Sequence, residues 1–137
     1  VDNSSNNNCY AIVEVKLYVD FVPIAQTPAA TDPLLHACDL DNDVEEEFNL
    51  TALTDTIFGG LTPQSNYNLT FHESQDDADN NNSAIANPAA YLSTGFTRNI
   101  YVRLENTNNT SCYTTATFIK HTFQSICNNL IYYTRLN

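Results

Sequence analysis

NIYVRLENTNNTSCYTTATF, residues 99–118, is the stretch whose reading decides the fold. In its first half Ile100, Val102 and Leu104 alternate with Tyr101, Arg103 and Glu105, the two-residue period of a strand that turns one face to a core. TNNTS is then a tight-turn signal. CYTTATF resumes the alternation, so the two halves should pair as an antiparallel hairpin.

Reading outward toward the N-terminus, YNLTFHE (67–73) is a further strand with Tyr67, Leu69 and Phe71 inward. Between it and the hairpin, the polar SQDDADNNNSAIANP reads as a long turn or loop. FNLTALTDTIFGG alternates at Phe48 and Leu50, has a short helical turn around Leu53 to Phe58, and breaks at Gly59 and Gly60. Short strands with turn signals every ~10–15 residues indicate an all-β sandwich.

Composition narrows the function. The chain's 137 residues are the size of one domain. Sixteen acidic residues against five basic ones give a net charge of −11, which repels phosphate backbones and anionic headgroups and favours cations. The apolar runs are too short to span a bilayer, so neither nucleic-acid binding nor membrane insertion is expected. Val1 is not followed by a signal-peptide pattern. Four cysteines without a C-x-x-C pair read as disulfides of an oxidising compartment rather than a zinc site.

The N-terminus poses a puzzle. From Tyr10 to Val19 the alternation is clean, with Val13, Val15, Leu17 and Val19 on one face, so a half-buried strand is expected there. DFVPIAQTPAATDPLL follows, whose three prolines favour an extended edge segment or a linker. NNNCYAIVEV (6–15) also resembles NTSCYTTATF (109–118). Setting Cys9 on Cys112 puts Val13 over Ala116 and Val15 over Phe118, a period of about 103 residues such as a tandem array would give.

The ordered set CDLDND, FNLT, TFHESQDDAD, NP, IYVRLENT and CY resembles a repeat of very large secreted surface proteins of Bacteroidota, exported by type IX secretion and associated with gliding or adhesion. The resemblance covers residues 28 to about 118, and it implies an immunoglobulin-like β-sandwich with a structural, extracellular role. It divides the chain into residues 1–27, the last strand of a preceding repeat and a Pro-rich lead-in, and residues 28–137, the repeat with a divergent tail. It also implies a Cys38–Cys112 disulfide, leaving Cys9 and Cys127 to pair with each other or with neighbours. The residues by themselves allow all three pairings. Two departures stand out: Val44 replaces the family's Gly, and after Phe118 the apolar character shifts from the expected inward positions, Lys120 and Thr122, to Ile119 and Phe123.

Among chemical constellations, DLDND is the sharpest. Asp39, Asp41 and Asp43 at alternate positions can converge on a hard cation such as Ca²⁺, with Glu45 as a further ligand, or form a solvated turn held by Asx-type hydrogen bonds. Asp76, Asp77 and Asp79 are a weaker cluster in a wet loop. His36, His72 and His121 have no metal spacing, and no nucleophile elbow, phosphate loop or H-E-x-x-H occurs, so no enzyme is expected. His72 beside Glu73 reads as a surface residue. Asp55-Thr56-Ile57 fits the short O-glycosylation pattern that the resemblance brings, with the sugar on Thr56.

The expected function is a non-catalytic module of a secreted adhesin or filament, associating with itself or with neighbouring repeats. The Val13/Val15/Leu17/Val19 face would be donated head to tail. The alternative is a carbohydrate-binding module for surface glycans, with Tyr101 and Tyr132 as stacking platforms.

Overall fold

The hairpin is the spine of the molecule, whose computed structural model describes residues 11–124. Strand β5 (Thr97–Asn106) and strand β6 (Asn109–Phe123) pair antiparallel, with Ile100 opposite Phe118 and Val102 opposite Ala116. Asn106 Oδ1 accepts the Asn108 N–H and holds the turn. Strand β3 (Tyr67–His72) pairs antiparallel with the other edge of β5, and strand β1 (His36–Cys38) runs parallel to the end of β6, which gives the order β1-β6-β5-β3. A second sheet pairs β2 (Glu45–Phe48) with β4 (Tyr91–Thr94). The architecture is an all-β, sandwich-like fold.

The core forms where the alternating faces meet. β5 contributes Ile100 and Val102, β3 and β6 contribute Phe71 and Phe118, and the second sheet answers with Phe48 and Tyr91. Two strands cannot cover four. The shortfall is met by a 3-10 turn (Leu50–Leu53) and helix α1 (Thr54–Phe58), which add Leu50, Leu53 and Ile57 to the same cluster. Gly59 ends α1 at φ 56°, and its N–H reaches the carbonyls of Asp55 and Thr56.

Several expectations are corrected. The polar stretch after β3 is not all loop, because Gln75–Asn80 forms helix α2. Ser74 caps it, its hydroxyl accepting the Asp77 N–H at 3.1 Å, so the S-x-x-D spacing outweighs the turn-like composition. Arg103 and Glu105 alternate outward as read, yet both are buried. Nη1 of Arg103 bonds the carbonyls of Ala78 and Asp79 in α2, so the outer face of β5 is covered there rather than wet.

The end of β6 keeps its phase. Lys120 and Thr122 are buried and Ile119 is exposed, the reverse of what their polarity suggests. Lys120 Nζ donates to the Gly95 carbonyl and to Thr122 Oγ1 and lies 5.1 Å from the Phe48 ring centroid, which satisfies the ammonium inside the sandwich. Burial first, and then the Arg98 charge, pull its pKa down against the opposing pull of Glu46.

His72 is likewise buried rather than on the surface. Nδ1 lies 2.8 Å from the Asn82 carbonyl and donates to it, and Nε2 lies 2.9 Å from Thr70 Oγ1. Residues 11–19 form no strand at all, because no strand of the described residues pairs with them.

Candidate functional site

The acidic turn between β1 and β2 is built around Asp39. Its Oδ1 accepts the Asn42 N–H at 2.6 Å, and its Oδ2 accepts from the Val44 N–H and from Gln124 Nε2, each at 3.0 Å. Asp43 Oδ1 accepts the Glu45 N–H at 2.8 Å. Asn42 and Val44 both sit in the left-handed region, at φ 66° and 64°. The turn thus keeps at Val44 the conformation for which glycine is suited, at the strain a β-branched residue carries there.

Asp39, Asp41 and Asp43 are brought together, each offering an oxygen within 4.8 Å of the others. Glu45 is not part of that group; it begins β2, and its backbone serves the turn instead. Burial raises the Asp39 carboxyl, but hydrogen bonds from Gln124 and from the Asn42 and Val44 amides outweigh it and hold the pKa below the usual range. Glu46 moves the other way, raised by burial and then by the charges of Asp39, Asp41 and Asp43. An all-oxygen set with Asp41 and Asp43 exposed suits Ca²⁺ completed by water, while Asp39 already spends both oxygens on N–H donors. Asp76 and Asp77 lie instead in the first turn of α2, where acidic residues suit the helix N-terminus.

The cysteines separate to opposite ends of β6. Cys38 is in register with Phe123, whereas Cys112 is near the start of the strand, roughly 36 Å away at ~3.3 Å per residue. A disulfide needs Cα atoms within about 7 Å, so the implied Cys38–Cys112 bond is not made. Cys112 is a half-buried free thiol, Cys38 is disulfide-bonded, and no disulfide joins two described residues. Cys9 and Cys127 lie outside the described residues, as does Tyr132.

Among the described residues, the N-terminal segment carries most of the exposed large apolar side chains. Val13, Val15, Leu17 and Val19 are 78%, 73%, 88% and 81% exposed, and Phe21 and Ile24 continue it. The segment meets the sandwich at its end: Asp20 Oδ2 accepts from Asn109 Nδ2 at 3.1 Å, and the Asp20 carbonyl lies 3.9 Å from Cys112 Sγ. Farther on, the Gln26 N–H bonds the Ile57 carbonyl, which ties the Pro-rich lead-in to the end of α1. Thr56 is exposed on α1, and Tyr101 is half-buried on β5.

One pair had no signal in the sequence. His36 and His121 face each other across β1 and β6 with ring centroids 5.6 Å apart, and the ring of Phe123 stacks on His121. Only the parallel register brings them together.

The fold and the cysteine placement meet one family. The Flavobacterium inter-domain disulphide bond domain matches residues 33–126, from the turn before β1 to just past β6. The chain belongs to that family. The inter-domain disulphide bond domain therefore coincides with the sandwich, and the exposed segment of residues 11–19 lies N-terminal to it. Neither a curated protein nor a solved structure matches the chain.

Proposed function

We propose that the chain is a non-catalytic structural module of a secreted cell-surface adhesin or filament, joined head to tail with neighbouring sandwiches through residues 11–19. The observation that carries this is the alternating Val13/Val15/Leu17/Val19 face, exposed beside a sandwich that is already closed by its own β6. An exposed alternating apolar segment beside a sheet is a ready template for pairing with another chain. The family's name, which speaks of a disulphide between domains, supports a role in linking rather than in catalysis. Ca²⁺ held by Asp41 and Asp43, with Asp39 behind them, would stiffen the turn that opens β2.

The test is the solution mass of the full chain beside a version beginning at Asp20, each with and without calcium. The full chain should associate and the shortened one remain monomeric. Monomeric behaviour of both would remove the segment from any role in assembly.

A further inference from the structure

The two histidines that the parallel register brings together take no part in the head-to-tail contact, and their placement is that of a metal chelate. His36 opens β1 and His121 stands directly opposite it near the end of β6, so the two side chains leave neighbouring strands on one face of the sheet. Their ring centroids are 5.6 Å apart and their planes cross at 76°. A tetrahedral ion bound at ~2.0–2.1 Å by one nitrogen of each ring holds the centroids roughly 5–6 Å apart. The backbone has already set the spacing that a chelate needs.

The hydrogen bonding of each ring agrees with that use. His36 Nε2 lies 3.1 Å from the Ala30 carbonyl oxygen, which can only accept, so Nε2 carries a proton and in the neutral ring the lone pair falls on Nδ1. A ligating imidazole is fixed in this way, its second nitrogen donating to a backbone carbonyl or a carboxylate. His121 makes no hydrogen bond through either nitrogen to a described residue. Its ring turns about a broad, soft torsion, so it can aim a nitrogen at an ion without moving the backbone. Phe123 stacks on His121 at 5.9 Å and meets the His36 ring edge-on at 5.4 Å, which gives the pair an apolar wall. His36 is exposed and His121 half-buried, which leaves the remaining coordination positions open to water.

We infer that His36 and His121 form a two-imidazole site for a borderline divalent ion such as Zn²⁺, Ni²⁺ or Cu²⁺, completed by water, that clamps β1 to β6. Imidazole suits these ions, whereas Ca²⁺ takes oxygen, so the site is distinct in chemistry from the aspartate turn. The net charge of −11 favours the approach of any cation. β1 is only three residues long and lies at the edge of its sheet, where a cross-strand clamp has most to add. Through Ala30 the clamp also reaches the Pro-rich lead-in that carries residues 11–19.

The experiment titrates Zn²⁺ into the full chain by calorimetry, in a calcium-containing buffer that fills the aspartate turn, while ring-carbon NMR shifts report the ligating nitrogens. The expected result is one ion per chain on this pair, with ligation at His36 Nδ1. His36→Phe and His121→Phe keep a ring against Phe123 and should each weaken binding by at least the ~10–100-fold that loss of a mere outer-shell partner costs. Cys112→Ser, and Asp41→Asn with Asp43→Asn, should leave the zinc affinity unchanged. Wild-type rings of His36 and His121 that do not shift in saturating Zn²⁺ would overturn the site without recourse to any variant. Binding lost with Cys112→Ser or with the aspartate changes would overturn it too, and ligation through His36 Nε2 would refute the donor arrangement set by Ala30.

Discussion

Replacing Arg103 with Met should cost about 3–5 kcal/mol, the range for removing one partner of a buried ion pair. Its Nε donates to Glu105 Oε2 at 2.7 Å, with the two side chains only 6% and 7% exposed. Nη1 serves the Ala78 and Asp79 carbonyls, Nη2 serves the Thr110 carbonyl, and the guanidinium lies 3.5 Å from the Tyr113 ring centroid. Methionine fills the volume but leaves the buried Glu105 carboxylate without its counter-charge and takes a donor from each of three carbonyls. That loss is a large share of the ~5–15 kcal/mol that holds a domain together.

Urea unfolding at neutral pH measures it, with Glu105→Leu and the double variant closing a thermodynamic cycle. Because Glu105 is the group stranded by Arg103→Met, the double variant should cost clearly less than the sum of the two single ones. Burial also makes the cost nearly independent of salt, whereas an exposed pair would lose its contribution by ~1 M. An Arg103→Met cost below about 1 kcal/mol, the exposed-pair range, would refute the burial of this cluster under α2.

Three further outcomes follow from the geometry. The Tyr91 phenol donates to Glu73 Oε1 at 2.7 Å, and burial first, then Glu73, push its pKa up to about 12 from 10.0; stability owed to the neutral phenol is complete below pH 10 and drains away as pH rises through about 12, so wild type and Tyr91→Phe should converge there in pH-dependent unfolding. Ser74→Ala removes the cap of α2 and should cost about 1 kcal/mol by urea unfolding, with no change if the helix does not form. Calcium at ten times its Kd should add about 1.4 kcal/mol to stability, and paired Asp41→Asn and Asp43→Asn changes should abolish the increment; a flat titration removes the metal from the module.

The sequence by itself determined the three longest strands, β3, β5 and β6, and their inward faces, but not the short β1, β2 and β4. Ile100, Val102, Leu104 and Phe71 are buried because a two-residue alternation has one physical use, and the TNNTS turn fixes which strand follows which. The convergence of Asp39, Asp41 and Asp43 was equally legible, since three side chains within five residues need only a local turn. What lies on the other side of each strand was not legible. The burial of Arg103 and Glu105, the ammonium of Lys120 inside the core and the His36–His121 contact all depend on which distant element comes to rest there, and local periodicity carries no information about that. The cysteines illustrate the same limit: spacing permits three pairings, and only the parallel register of β1 on the far end of β6 sets Cys38 and Cys112 too far apart to join within one domain. Conversely, residues 11–19 carry a strand pattern without a strand, because alternation specifies a face to be buried, and hydrogen bonding to a partner is what makes it a strand.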